Sequence, residues 1–424
     1  MIKIIKDELT NRNEIFSVVT EKPDVTQTVK EIIERVKEQG DVALKYFTAK
    51  FDKADIKDLR VSEEEILTAM KSVDAKFIQI LNTAAKNIRE FHERQKRKGF
   101  ELKKQNGVIV GQKVIPIECA GIYVPGGTAA YPSTVLMDAI PAVVAGCERV
   151  VMVTPPNADG SINPVILASA YVAGVKEIYK VGGAQAIAAL AFGTETIPKT
   201  DKIVGPGNAY VAEAKRQVYG AVSIDMIAGP SEILIVADNT NRPKDVASDL
   251  LSQAEHDKMA SAVLITDDYA FAKKVSEELE NQIPKLLRKD IARASIDNNG
   301  KIIVTECIDR AIEIANGIAP EHLEICVDNP FDYLDKIKHA GSVFLGKNCP
   351  EALGDYYAGT NHTIPTSGTA RFSSPLSVDD FIKKTQYIYY DKNSLKEVCK
   401  DVEYFAQQEG LTAHAKSAII RFED

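Results

Sequence analysis

This chain has no Cys-x-x-Cys pair, no apolar run of membrane length and no excess of basic residues. Each absence closes off a class of function. The longest apolar stretch, Val135 to Cys147, carries Asp138 and Pro141 and falls short of the roughly 20 residues that span a bilayer. The six cysteines, at 119, 147, 307, 326, 349 and 399, are scattered through predicted strands, loops and helices. That pattern fits reduced, buried thiols in a cytoplasmic protein, not a disulfide frame or a thiolate zinc site. A formal net charge of -8 argues against a general nucleic-acid binder, which would carry a basic stripe. The one basic run, Arg94-Gln-Lys-Arg-Lys98, reads as solvated charge closing a helix. The N-terminal residues alternate charge with apolar side chains and form no signal-peptide core. A soluble, acidic, cytoplasmic protein is expected, and 424 residues are too many for one ordinary core.

Four segments follow from texture. Residues 1–111 are rich in charged helices. Val29, Ile32, Ile33 and Val36 make one apolar face that Gly40 stops, and Phe77, Ile80, Leu81, Ala84, Ile88 and Phe91 make a second. Residues 112–236 alternate short apolar strands with helices of small residues, such as Ala184–Phe192, which suit close packing on a parallel sheet. The same βαβ rhythm recurs over 237–372, which predicts an α/β fold of two incomplete Rossmann-like domains. The rhythm fits a duplicated architecture or one split sheet, and no internal repeat decides between them. Residues 373–424 form a small helical tail with capping-box candidates Ser377-x-x-Asp380 and Ser394-x-x-Glu397. A tail this short cannot bury its own core, so it must dock on the body or on another subunit.

Only six histidines are present, and three stand in suggestive settings. Ser252-Gln-Ala-Glu-His-Asp257 falls on a predicted helix, putting Gln253 and His256 on one face, where an i, i+3 pair can share a metal ion. A solvated helix face reads the same way. Pro320-Glu-His-Leu323 opens a predicted strand, with Glu321 and His322 on opposite faces if the strand is regular. His322 is a natural general base near neutral pH, and Glu321 could orient it or activate a water; a structural pair is the alternative. Leu411-Thr-Ala-His414 follows Glu409 in the tail. Gly354-Asp-Tyr-Tyr-Ala-Gly-Thr-Asn-His362 is a polar loop whose Asp355 could ligate a metal or close a turn. Three glycine turns follow strands: Tyr123-Val-Pro-Gly-Gly127, Val181-Gly-Gly-Ala-Gln185 and Val204-Gly-Pro-Gly-Asn208. Such turns let backbone approach a phosphate at a helix N-terminus, although none completes Gly-x-Gly-x-x-Gly and no Walker lysine exists.

Taken together, these segments resemble the histidinol dehydrogenase family. The resemblance runs in order through the three glycine turns, Ala228-Gly-Pro-Ser-Glu232, Asp249-Leu-Leu-Ser-Gln-Ala-Glu-His256 and Ala319-Pro-Glu-His-Leu323. It continues through Gly341-Ser-Val-Phe-Leu-Gly346, the 354–362 loop and Leu411-Thr-Ala-His414. It implies oxidation of L-histidinol through L-histidinaldehyde to L-histidine with two NAD⁺ in turn, the last steps of histidine biosynthesis. By the same resemblance, Gln253, His256, Asp355 and His414 would bind one zinc per subunit, and Glu321 and His322 would be the acid–base pair. Ser231, Gln253, His256, His322, Asp355, Glu409 and His414 would meet the substrate, and Tyr123, Gln185 and Asn208 would line the NAD site. The family further implies a homodimer with shared active sites, in which the tail is exchanged between subunits.

Read without the resemblance, the same residues admit a zinc-dependent hydrolase using Glu321 on a metal-bound water, or a non-catalytic nucleotide-binding regulator. The glycine turns favour a dinucleotide over hydrolysis, and a regulator has no use for an acid–base pair beside metal ligands.

Overall fold

The computed structural model describes residues 1–7, 15, 24–126 and 130–423. The chain divides into two units: Met1–Gln95 with Glu118–Phe381, and Lys96–Ile117 with Ile382–Asp424.

The first unit is built on two parallel sheets. One has five strands in the spatial order Glu177–Lys180, Arg149–Thr154, Cys119–Tyr123, Lys202–Val204 and Ser223–Ile224. The other has six: Lys3–Lys6, Lys301–Val304, Ser261–Thr266, Glu232–Ala237, His322–Cys326 and Ser342–Leu345. Set the Lys3–Lys6 edge strand aside, and both sheets read 3-2-1-4-5 in their own chain order. That is the order of doubly wound dinucleotide-binding folds. The repeated rhythm in the sequence is therefore a repeated architecture and not one split sheet.

The strands carry near-continuous apolar runs because helices cover both their faces; every residue of Ser261–Thr266 is buried. Helix ends are set by backbone chemistry. Pro132–Ala145 and Pro164–Ala173 each start on a proline, whose missing N–H would have been unpaired there anyway. Each stops at a left-handed glycine, Gly146 and Gly174. Small residues in Gly183–Phe192 let that helix lie close to the sheet, and its Ile187 and Leu190 share a core with Val29, Ile32 and Leu44 of Thr26–Phe51. Leu44 and Leu250 are fully buried, so either Leu→Ala change would cost about 2–5 kcal/mol.

Three expectations are corrected here. Gly40, at φ +51°, interrupts the first helix, but the helix resumes and runs to Phe51. In Ala75–Glu93 the inner row is Leu81, Ala84, Ala85, Ile88 and His92, while Ile80 and Phe91 are exposed. The start of the supposedly helical segment, Lys3–Lys6, is a strand that pairs in parallel with Lys301–Val304.

The second unit is a three-stranded antiparallel sheet, ordered Ile382–Tyr389, Ile109–Pro116, Phe100–Lys103, with helices Lys392–Gln408 and Thr412–Ile419. The sheet went unread because Phe100–Lys103 is exposed along its whole length, which leaves no in–out alternation to see. The Ser377–Asp380 box forms, with the Ser377 N–H donating to the Asp380 carboxylate at 2.8 Å. The cap of the following helix is Asp391, which accepts from the Ser394 N–H, and not Ser394. All six cysteines are free, and Cys307 is exposed, against the expectation that they are all buried. Among the described residues no helix is long and apolar enough to cross a membrane.

Candidate active site

The two sheets of the first unit offer opposite ends to one cavity. The glycine turns leave the carboxyl ends of the five-stranded sheet: Val124–Gly126 after Cys119–Tyr123, Val181 and Gly182 after Glu177–Lys180, and Gly205–Asn208 after Lys202–Val204. On the six-stranded sheet the chemistry sits at the amino ends. Ser231 precedes Glu232–Ala237, and Glu321 precedes the neighbouring strand His322–Cys326. Gln253 lies near the end of Pro243–Ala254, the helix that brings the chain back to the start of Ser261–Thr266. Asp355 lies on the short helix Ala352–Tyr356 after the edge strand Ser342–Leu345. Gly207 and Asn208 from one sheet, and Ser231, Gln253, His256, Glu321, His322 and Asp355 from the other, line a cavity of about 690 Å³. A larger hollow of about 930 Å³, lined by Arg60, Glu65 and Lys180 among others, is an open groove of mixed charge with no histidine in its lining.

Local backbone chemistry places His256 differently from the helical expectation. The helix ends at Ala254, and His256 follows in a turn, its N–H donating to the Gln253 carbonyl at 3.1 Å. Asp257 explains the stop: its carboxylate and carbonyl accept from the Met259 and Ala260 N–H groups, which competes with helix continuation. Glu321 and His322 also fail to point apart. Glu321 lies outside the strand, and its Oε2 is 3.6 Å from His322 Nδ1.

The main chain of Glu232 holds both members of that pair. Its N–H donates to Glu321 Oε2 at 2.8 Å, and its carbonyl lies 2.9 Å from His322 Nδ1. A carbonyl only accepts, so Nδ1 always carries a proton, and Nε2 is the nitrogen that gains or loses the second one. That Nε2 is buried without a hydrogen bond, 3.5 Å from Asp355 Oδ1. Burial alone disfavours an imidazolium at His322, but the Glu321 and Asp355 carboxyls beside it outweigh burial and raise its pKa. Burial raises the Glu321 carboxyl, with His322 opposing. Burial also works to raise Asp355, yet the His322 imidazole overrides it and holds Asp355 below the usual carboxylate range. The charge on His322 thus bears on both carboxyls, and theirs on it. His256 opens onto the cavity and has Ser231 Oγ 3.4 Å from its Nδ1; desolvation by the surrounding protein lowers its pKa.

Gln253 is buried and divides its amide. Nε2 donates to Glu351 Oε1 at 2.6 Å, and Oε1 has no partner. Among the described residues no group of three His, Cys, Asp or Glu side chains is placed to hold a metal. The first unit supplies instead one imidazole, one carboxylate and one unpaired amide oxygen, a donor set that fits zinc. Glu409 and His414 belong to the second unit, Glu409 as the C-cap of Lys392–Gln408 and His414 on the last α-helix, both exposed.

Of the residues expected at a dinucleotide, only Asn208 lines the cavity. It caps Ala209–Val218, its side chain accepting from the Tyr210 and Val211 N–H groups at 3.0 and 3.2 Å. Tyr123 is buried, its hydroxyl accepting from the Gly183 N–H at 3.1 Å, and burial pushes that hydroxyl up to about 12. Gln185 is buried in the first turn of Gly183–Phe192, with its Oε1 unpaired. That oxygen is buried in the first turn of its own helix and does not reach the cavity lining. Beneath the third turn Lys215 pairs with Asp225, both buried; Lys215 donates to the Gly205 carbonyl at 2.9 Å and Asp225 accepts from the Gly205 N–H at 2.8 Å.

Sequence reading passed over Glu351, Glu324, the Lys215–Asp225 pair and the backbone of Glu232. Glu324 left a signal: a carboxylate inside the apolar strand His322-Leu-Glu-Ile-Cys326 demands a partner.

A family model described as histidinol dehydrogenase matches residues 17–422. A histidinol dehydrogenase of Clostridium acetobutylicum is 54% identical over 427 residues, covering 100% of this chain and 99% of the relative. One of Bacillus subtilis is 54% identical over 391 residues, covering 92% of each. A crystal structure of histidinol dehydrogenase from Elizabethkingia anophelis superposes with a TM-score of 0.94 at 43% identity, covering 100% of this chain and 98% of that one.

Proposed function

This chain belongs to the histidinol dehydrogenase family, and we propose that it oxidises L-histidinol through L-histidinaldehyde to L-histidine in the cytoplasm, using two NAD⁺ in turn. The observation that carries the reading is His322: a buried imidazole with Nδ1 tied to a carbonyl and a free Nε2, beside a buried carboxyl. When bound, the nicotinamide accepts the hydride of each oxidation and zinc holds the substrate's imidazole and amine. Gln253, His256 and Asp355 would hold that metal together with His414 of a second copy, and Tyr123, Gln185 and Asn208 would line the dinucleotide site.

His322 Nε2 takes the hydroxyl proton of histidinol. Glu321, held against the Glu232 N–H, prepares the water that converts the aldehyde to its hydrate, and His322, having released the first proton to solvent, takes the hydroxyl proton of the hydrate. Asp355 would commit its charge to the metal, which would remove one of the carboxylates that raise His322. Ser231 and the partner's Glu409 complete the substrate contacts. The partner is a second copy of this chain: in the second unit Val402, Tyr404, Phe405 and Ile420 are exposed, more apolar surface than a solvated tail needs.

The direct test is absorbance at 340 nm with zinc-loaded protein, NAD⁺ and L-histidinol. Two NADH per histidinol are expected, and none from a folded, zinc-loaded dimer would overturn the reading. Shared sites are tested by refolding His256→Ala and His414→Ala together. Each variant alone is inactive, and free assortment should restore about a quarter of wild-type activity. Verified heterodimers with no activity would mean that each chain supplies its own His414.

A further inference from the structure

Gln253 is among the residues that line the cavity, and its amide oxygen is the end left without a partner. A side-chain amide has two donors at one end and an acceptor at the other, and a half-turn exchanges them. Only the oxygen end can ligate a metal ion. The partner of Nε2 is Glu351 Oε1, at 2.6 Å, and both side chains are buried. In the reverse orientation two acceptors would face each other there, and an NH₂ group would face the metal. Glu351 is itself anchored, because its backbone N–H donates to Glu324 Oε1 at 2.8 Å. Glu324 is fully buried, two residues after His322 on the same strand and so on the same face of it. One strand therefore supplies the base at its first residue and, at its third, the anchor for the residue that orients Gln253.

We propose that Glu351 is a positioning residue that holds the Gln253 amide oxygen-first toward the cavity and so sets the affinity of the site for zinc. The proposal rests on the zinc reading above. It acts through Gln253 and requires no contact between Glu351 and substrate.

The test measures zinc affinity of the full-length protein by competition with a chromophoric chelator, beside a thermal melt of each variant. Glu351→Met keeps side-chain length but offers no acceptor for Nε2, and should weaken zinc about 10- to 100-fold, as loss of an outer ligand partner does. Glu351→Gln still offers a carbonyl oxygen and should keep wild-type affinity. In Gln253→Glu the ligand presents oxygen either way round, so adding Glu351→Met there should cost no further affinity. If Glu351→Met does not fold, Glu351→Ala takes its place. Wild-type affinity in the acceptor-less variant, or an equal loss in the Gln253→Glu background, overturns the proposal. A failed zinc reading gives a different result: wild-type protein that binds zinc no better than His256→Ala.

Discussion

The two parallel sheets of the first unit share a strand order and turn opposite ends to one cavity. The five-stranded sheet turns its carboxyl ends to the cavity, where each following helix begins with the positive end of its dipole, which suits an anion. The six-stranded sheet turns its amino ends to the same cavity, where helices arrive by their negative C-termini, a setting that suits imidazoles and cations. His256 stands just past such a terminus. One topology thus supplies backbone donors on one sheet and titratable side chains on the other. Strand order alone does not say which end of a sheet will carry chemistry.

The division is sharpest if changes on the two sheets separate kinetically. The largest effect is expected at the amino ends. His322→Asn should lower kcat by about 10²- to 10⁴-fold, with KM for NAD⁺, zinc content and melting temperature kept near wild type. An NAD⁺ KM that rose in step with the loss of kcat would break the division. A smaller effect is expected at the carboxyl ends, from Gly205→Ala. Gly205 has φ +116°, and a Cβ there would lie 2.1 Å from the Tyr123 carbonyl oxygen. The strain should cost on the order of 1–3 kcal/mol by denaturant titration and raise KM for NAD⁺ about tenfold, leaving kcat at saturating NAD⁺ largely intact. A fall in kcat alone would put this turn on the wrong side of the comparison.

The smallest effect concerns what lies beneath that turn. Asp138 is fully buried, accepts from Thr363 Oγ1 at 2.7 Å, and is pushed by burial up to about 8. The folded protein keeps this proton while the unfolded chain releases it above its ordinary value near 4, so stability falls as pH rises from about 4 to 8 and levels off beyond. Asp138→Asn should remove that slope, about 1.4 kcal/mol per pH unit at its steepest, whatever its offset at pH 5. Parallel stability–pH curves for wild type and variant would assign the slope to other groups.

The α/β core was legible because its strands are apolar runs between punctuation. The helix of small residues expected over Ala184–Phe192 is found as Gly183–Phe192. The antiparallel sheet of the second unit was not legible, since exposed strands such as Phe100–Lys103 carry no alternation. At the site, residue types pointed to Glu321, His322, Gln253, His256 and Asp355, and the fold gathers all five at one cavity. What spacing missed was how they are held. The turn at His256 depends on Asp257 capturing N–H groups, and the acid–base pair hangs on the main chain of Glu232, whose role no side-chain pattern encodes. Glu351 was invisible for a related reason: it meets Gln253 from 98 residues away in sequence.

The pairing of Lys3–Lys6 with Lys301–Val304 has a consequence for biosynthesis. The five-stranded sheet draws its strands from one stretch, Cys119 to Ile224, and can close as soon as that stretch leaves the ribosome. The six-stranded sheet cannot. Its Lys301–Val304 strand has Ser261–Thr266 on one side, and on the other side Lys3–Lys6, made nearly 300 residues earlier and kept idle until this strand emerges. Closing so long a loop is the slow kind of step. Until it closes, the backbone of Ile302 and Ile303 is an open apolar edge able to pair with another nascent chain. Deleting the first strand would leave the cavity residues in place and turn that last folding step into self-association.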